Sequence, residues 1–207
     1  MALSIPNMPF VTTSLLTISV ALGSHLAQAD LRAKSVPHQT AFEEWTSEVG
    51  DRFLVDTQQN EGYLIHEDGE YVRFPVVTGQ NRYVYYIGRG YKATTPAWNW
   101  VSTEMTIKGD HLTFGPSGRF LRLFKNGNER TAYGIHEYGR EEDLFSPESS
   151  ERFRSMGCVI VQQSMMDLLV ETFEKNGNRL EVKTQFGGLQ DQNQIVSWFS
   201  PNAGENL

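Results

Sequence analysis

The chain contains a single cysteine, Cys158, in the segment Ser155-Met156-Gly157-Cys158. A thiol can act as a nucleophile when a base lies near it. Gly157 would let a substrate approach the backbone, and the amides of Gly157 and Cys158 could face a developing oxyanion. His136 is the favoured base, because it ends a predicted strand 22 residues before the cysteine. This combination predicts acyl transfer through a thiol.

Each of these residues also has a simpler interpretation. A lone cysteine commonly serves as a small buried hydrophobic residue, and Ser155 before a glycine is ordinary turn chemistry as well as a candidate for orienting the histidine. His66 and His111 have no cysteine or carboxylate at metal-ligand spacing, so no metal site is predicted. No cofactor is implied. One cysteine also excludes an intramolecular disulfide, so the core alone must stabilise the fold.

The composition is that of a folded, acidic protein. The chain has 207 residues, 39% of them apolar and 12% aromatic, and a formal net charge of −7. These values fit one globular domain or two small ones and exclude a disordered chain. The acidic balance gives no basic surface for nucleic acid. No apolar run reaches the roughly 18 residues that cross a bilayer, so a transmembrane domain is not predicted.

The first 29 residues form a separate segment, because they contain no Asp, Glu, Lys or Arg. An apolar stretch over residues 10–22 leads to Ala27-Gln28-Ala29, a pattern that signal peptidase accepts. We therefore predict a signal peptide over 1–29, a mature chain from Asp30, and a periplasmic or cell-envelope location. The segment has no Lys or Arg before its apolar stretch, so an uncleaved anchor is an alternative; a cytoplasmic protein with an accidental apolar start is another.

Most of the remaining chain has the alternation typical of β-strands. Asp68-Gly69 and Asn126-Gly127 are two-residue hairpin signals, and the second places His136 at a strand end. A capping-box pattern from Thr40 predicts a short helix in an N-terminal segment, 30–50. Ser164 can cap a longer amphipathic helix that follows the cysteine. We expect a mainly β sandwich or barrel over 51–186 with one packed helix, and a C-terminal tail over 187–207.

Four blocks of sequence occur in a characteristic order: Phe74-Pro-Val-Val-Thr78-Gly79, Thr94-Thr95-Pro96, His136, and Ser155-x-Gly-Cys158. Together they resemble the L,D-transpeptidase catalytic domain of the YkuD type, over roughly residues 53–186. The chain departs from the usual pattern of that family at Met156 and Ile160, where many relatives carry His or Ser and Arg or Asn.

The resemblance implies a fold and an activity. Cys158 would attack a peptidoglycan stem peptide with His136 as general base, and Ser155 would match a position that orients the histidine in some members. Gly157, Tyr133, Thr95 and Trp98 are the candidates for oxyanion stabilisation and substrate binding; Trp98 and Trp100 would narrow the donor groove or fill the core, at least one of them the core.

The acceptor of the acyl group is left open by the sequence. It would be a second stem, an anchored envelope protein, or water, and water would make the enzyme an L,D-carboxypeptidase or amidase. A peptidoglycan-binding module without activity is the alternative from another class. The acidic segment 137–154 between base and nucleophile is either a solvated loop or a lid whose carboxylates attract the ammonium group of an acceptor.

Overall fold

The computed structural model of the protein describes residues 37–86, 88–146 and 153–187. The predicted signal peptide and the predicted tail from 188 onward lie outside these residues. The strands in chain order are β1 (His38–Gln39), β2 (Arg52–Asp56), β3 (Glu61–Ile65), β4 (Glu70–Pro75), β5 (Thr78–Gly79), β6 (Arg82–Tyr86), β7 (Arg89–Ala93), β8 (Trp98–Ile107), β9 (Arg119–Lys125), β10 (Glu129–His136), β11 (Phe153–Ser155), β12 (Val159–Ile160) and β13 (Leu180–Gln185). The helices are α1 (His111–Phe114), α2 (Glu141–Phe145) and α3 (Gln163–Lys175), and a 3-10 turn covers Phe42–Glu44.

Nine strands form one mixed sheet in the order β1-β4-β3-β2-β13-β8-β9-β10-β12. Three neighbouring pairs are parallel: β1 with β4, β2 with β13, and β10 with β12. Two small sheets pair β5 with β11 and β6 with β7. Strand β12 is therefore an edge of the large sheet, next to the strand that ends at His136.

Turn chemistry sets the register of the two predicted hairpins. Gly69 has φ +99° between β3 and β4, and Asn126 and Gly127 have φ +52° and +79° between β9 and β10. The second turn has positive φ at both central residues, which Asn-Gly adopts at low cost, whereas in the first turn only Gly69 has positive φ. Both hairpins are present in the sheet.

Helix α3 packs its apolar stripe against one face of the large sheet. The core combines buried side chains from seven neighbouring strands with those of the helix: Phe53, Val55, Leu64, Val72, Trp100, Leu121, Leu123, Ile135, Val182, Met165, Met166, Leu169 and Phe173. Strand β13 shows the expected alternation, because Leu180, Val182 and Thr184 are buried and the residues between them are more exposed. None of the described helices is long and apolar enough to span a membrane.

The prediction of a mainly β fold with one packed helix after Cys158 is confirmed, but two details differ. The predicted N-terminal helix is a three-residue 3-10 turn, because the Thr40 amide donates to Tyr71 and so extends the pairing of β1 with β4. Helix α3 begins at Gln163, and the Glu141 carboxylate accepts its first amide at 2.8 Å, so Ser164 is not the cap.

Candidate active site

The register of two parallel strands brings Cys158 and His136 to the same side of the sheet. Ile135 pairs with Val159 and His136 with Ile160. Ile135 and Val159 point into the main core. Side chains alternate along a strand, so His136 faces the opposite side, as does Cys158, which directly precedes Val159. Although they are 22 positions apart, His136 thus ends β10 and Cys158 directly precedes the adjoining strand β12.

The Cys158 thiol is partly exposed and is bordered by backbone polar groups. Its sulfur lies 3.9 Å from the carbonyl oxygen of Ala132. The protein crowded around the thiol raises the pKa of Cys158 to about 11, and a hydrogen bond from the Gly134 backbone and the charge of Arg122 act in the opposite direction. The resting nucleophile is therefore a protonated thiol near neutral pH.

The His136 ring is buried between two phenylalanines, with centroid distances of 5.0 Å to Phe114 and 6.0 Å to Phe120. Its Nδ1 donates to the backbone carbonyl of Glu137 at 2.5 Å. Burial lowers the pKa of His136, although the carbonyls of Glu137 and Thr113 partly oppose that effect. The imidazole is therefore neutral near pH 7, and with the proton on Nδ1 its Nε2 carries the lone pair that a general base needs.

Among the described residues, none of the hydrogen bonds joins the Cys158 sulfur to the His136 ring. The thiol is instead turned toward Ala132 and Gly134 on β10. Catalytic hydrogen bonds often form only in the substrate complex, so this resting geometry is compatible with proton transfer between the two side chains.

Ser155 holds the turn that presents the cysteine. Its Oγ donates to the carbonyl of Cys158 at 2.6 Å and accepts from the amide of Gly157 at 3.0 Å. These bonds favour the turn interpretation of Ser155. They also correct the expectation that both amides are free for an oxyanion, because the Gly157 amide is occupied and the Cys158 amide remains the candidate.

A chain of hydrogen bonds links this turn to the two earlier sequence blocks. Thr95 is buried; its Oγ1 accepts from the Gly79 amide at 2.9 Å and donates to the Gly157 carbonyl at 2.9 Å. Gly79 permits this approach, since a Cβ there would lie 2.6 Å from the Thr95 nitrogen. Thr95 therefore stabilises the turn that holds Cys158 through these two hydrogen bonds. The sequence suggested a substrate contact for this residue instead.

The remaining predicted residues occupy two different places. Tyr133 lies beside the cysteine turn, because a Cβ on Gly157 would be 2.6 Å from its ring, and it packs on the buried Trp100 with centroids 5.6 Å apart. Trp98 is 40% exposed, and its recorded contacts are with Lys125, 4.1 Å over the ring, and with Thr184. The indole that fills the core is thus Trp100, and the groove role of Trp98 stays a prediction.

Two residues that the sequence did not single out lie near the sulfur. Arg122 is buried; its Nη1 donates to the Thr131 carbonyl at 2.6 Å and its Nε to Glu104 at 3.1 Å. Tyr91 of β7 is close enough for Cys158 to contribute to the raised pKa of its phenol, after burial and the neighbouring tyrosines. Their sequence signals are weak, because both lie on ordinary alternating strands far from the cysteine in the chain.

Glu137, the residue that follows His136, forms a buried ion pair with Arg119. The Glu137 carboxylate is fully buried, 2.7 Å from Nη2 of Arg119 and 2.6 Å from the Ser117 hydroxyl. Arg119 also reaches Asp167 on α3 at 2.6 Å. Within residues 37–86, 88–146 and 153–187, no three His, Cys, Asp or Glu side chains come together as a metal site would need.

A mainly β domain with a thiol and an imidazole on neighbouring segments limits the classes of protein to which the chain could belong. Comparison with known families then gives the assignment. The family model for the YkuD L,D-transpeptidase catalytic domain matches residues 50–182, so the chain belongs to this family. A search of curated proteins finds no match.

Solved structures give similar folds at low identity. An L,D-transpeptidase of Xylanimonas cellulosilytica has a TM-score of 0.46 at 19% identity, covering 68% of this chain and 63% of that one. The Enterococcus faecium L,D-transpeptidase has a TM-score of 0.44 at 17% identity, covering 66% of this chain and 50% of that one. The helical cell shape determining protein Pgp2 of Campylobacter jejuni has a TM-score of 0.47 at 14% identity, covering 75% of this chain and 54% of that one. The chain thus spans less than two thirds of the length of each.

Proposed function

We propose that the protein is a cysteine-dependent L,D-transpeptidase that acts on peptidoglycan stem peptides. The observation that carries the proposal is the register of β10 and β12, in which His136 pairs with Ile160, two residues after Cys158. Membership of the YkuD family supports the same chemistry. The catalytic domain would cover 51–186, behind a signal peptide that delivers it to the periplasm or cell envelope.

The first half of the reaction forms an acyl-enzyme. His136 Nε2 takes the proton of the Cys158 thiol as the sulfur attacks the carbonyl carbon of the L,D peptide bond in a tetrapeptide stem. The oxyanion of the tetrahedral intermediate is stabilised by the Cys158 amide. Collapse breaks the carbon–nitrogen bond, His136 returns its proton to the departing D-amino acid, and a thioester remains.

The second half transfers the acyl group. An amine on a second stem or on an envelope protein attacks the thioester, His136 accepts its proton, and the thiol leaves protonated. A thiol with a raised pKa fits this cycle. The sulfur then loses its proton only when a substrate carbonyl is in place for the sulfur to attack. With water as the acceptor, the same residues give an L,D-carboxypeptidase or amidase.

Purified protein incubated with muropeptides, with products separated by mass, tests the proposal. Cross-linked dimers are expected, and trimmed monomers alone would indicate the hydrolytic alternative. Cys158→Ser should abolish both products and His136→Gln should lower them by about 10²-fold or more, whereas His38→Gln, a distant exposed histidine, should change nothing.

Covalent labelling separates an enzyme from a binding module. A carbapenem should form a stoichiometric adduct at Cys158, slowly or not at all in His136→Gln. Sedimentation with peptidoglycan in the absence of any adduct or product would overturn the proposed activity and favour the non-catalytic module.

A further inference from the structure

The hairpin of β6 and β7 has an unusual composition for this chain. It carries four tyrosines and three basic residues and no acidic one, and no Asp or Glu occurs anywhere between residues 70 and 104. The whole protein has a net charge of −7. The hairpin is therefore a local cationic and aromatic surface on an acidic molecule.

The two faces of the hairpin have different neighbours. Tyr83 pairs with Lys92 and Tyr85 with Gly90, so these side chains share one face, while Tyr91 pairs with Val84 on the other. Tyr91 is partly buried, and Cys158 is among the smaller causes that raise the pKa of its phenol. Tyr83 and Tyr85 are 82% and 79% exposed. The face that carries Tyr83 and Tyr85, the outer face, is thus the one that points to solvent.

The outer face leaves aromatic surface uncovered. Gly90 lies opposite Tyr85 and provides no side chain to pack on its ring, and Tyr83 stands two residues away on the same face. Two neighbouring tyrosines with this exposure form an aromatic surface that a ligand can cover. Tyrosine also presents a rigid ring with a polar end, which suits recognition of a ligand that is both apolar and hydroxylated.

Of the basic residues of the hairpin, Lys92 shares the face of Tyr83 and Tyr85, whereas Arg82 and Arg89 alternate onto the other face. Arg82 donates to the neutral side chain of Gln80 at 2.7 Å, and none of the ion pairs between described residues includes Arg82, Arg89 or Lys92. A carboxylate-bearing polymer is repelled by the acidic remainder of the molecule, so a local positive surface is needed to hold it.

From this juxtaposition we propose that the outer face of the hairpin binds the glycan strand of peptidoglycan, separately from the stem peptide in the cleft. Sugar rings lie on Tyr83 and Tyr85, and a carboxylate of a neighbouring stem pairs with Lys92. The inference rests on the proposed function, because it assumes that the polymer bound on the outer face is the one whose stems react with Cys158.

Co-sedimentation of the full chain with insoluble peptidoglycan sacculi tests the surface. The double variant Tyr83→Ser, Tyr85→Ser should weaken binding by at least about tenfold, and Lys92→Gln should weaken it mainly at low salt. Ile107→Ser, at another exposed apolar residue, is the matched control and should bind as the parent does. Cleavage of a soluble stem peptide without sugars should be unchanged in the double variant.

The outcomes separate the two proposals. Unchanged sacculus binding in the double variant would overturn the proposed glycan-binding surface. Equal binding of the protein to neutral cellulose, or preferential binding to vesicles of anionic phospholipid, would overturn it as well. Loss of soluble-peptide turnover together with sacculus binding also overturns it, because the tyrosines would then belong to the cleft. If the parent protein turns over no stem peptide but needs the tyrosines to bind sacculi, the surface stands and the proposed activity fails.

Discussion

The Glu137 carboxylate lies 2.7 Å from the Arg119 guanidinium and has no exposure to solvent. The backbone carbonyl of Glu137 accepts the hydrogen bond from His136 Nδ1 at 2.5 Å. The peptide group that sets the tautomer of the candidate base is thus anchored by a buried ion pair. Gly115 makes room for it, since a Cβ there would lie 2.2 Å from the Glu137 Cβ.

Arg119→Met should therefore destabilise the protein strongly, because it leaves a buried carboxylate without its cation. Breaking one side of a buried pair costs about 3–5 kcal/mol in the free energy of unfolding. Asp167→Asn removes only the exposed partner of Arg119 and should cost less than about 1 kcal/mol. Urea denaturation measures both.

The double variant Arg119→Met, Glu137→Leu sharpens this test. Replacing both charges with apolar side chains should recover most of the stability lost in the single variant, while activity stays low if the ion pair positions His136. A single variant as stable as the parent would contradict the buried-pair argument.

The pH dependence of acylation should reveal the environment of His136. Burial lowers the pKa of His136 from the ordinary 6.5, so the neutral base persists to more acidic pH than a solvated histidine would. The rate of Cys158 acylation by a carbapenem should fall only when the pH goes well below 6.5. An acidic limb centred above 6.5 would show that the histidine prefers its charged form and would contradict the assignment as a neutral base.

How far the sequence predicted this molecule depended on the range of the interactions. The hairpins at Gly69 and Gly127, the strands around them and the helix after Cys158 follow from local alternation and turn chemistry. The short helices α1 and α2 were not predicted, because each is too short to show a period. Strand β7 was not predicted either, because it begins with Arg89-Gly90 and has only Tyr91 and Ala93 as apolar residues. The cap of α3 was misplaced because the acceptor, Glu141, comes from a segment 22 residues earlier.

The candidate site divides in the same way. Cys158 and His136 could be proposed from residue type and order. Arg122, Tyr91 and the pairing of Arg119 with Glu137 could not, because their meaning arises only when strands that are distant in the chain lie side by side.

The thiol itself offers a direct electrostatic test. The pKa of Cys158 is raised to about 11, and the positive charge of Arg122 moderates it. Arg122→Gln should raise the thiol pKa further and slow alkylation by iodoacetamide several-fold at mildly alkaline pH, because the reactive species is the thiolate. Arg130→Gln is the matched control, since Arg130 shares the partner Glu104 but is exposed. A thiol of the free protein that titrates near pH 7 would contradict the burial argument.

The hydrogen bonds of Thr95 should be needed for the shape of the cysteine turn. Thr95→Val keeps the volume and leaves the Gly79 amide and the Gly157 carbonyl without their partner, which costs about 1–3 kcal/mol of stability. Acylation of Cys158 should slow as well, and Thr95→Ser should restore both. Thr94→Val, which removes only a 3.5 Å contact to Asn81, should leave both unchanged.

The acidic residues of α2 should divide between a structural and a solvated role. Glu141 accepts hydrogen bonds from the Gln163 amide at 2.8 Å and from Gln162 Nε2 at 3.1 Å, and so caps α3, whereas Asp143 pairs with Arg140 at 3.2 Å. Glu141→Ala should lower the free energy of unfolding by about 0.5–2 kcal/mol, because an orphan amide and a favourable charge at the helix N-terminus are lost.

The neighbouring Glu142 provides the comparison that decides between cap and lid. Glu142→Ala should leave stability unchanged, because no hydrogen bond or ion pair among the described residues uses its carboxylate. If the segment acted as a lid for the ammonium group of an acceptor, the KM for that acceptor would rise in Glu142→Ala at constant stability. With Glu141 committed to α3 and Asp143 to Arg140, we expect the acceptor KM to stay the same, and a rise of several-fold would restore the lid.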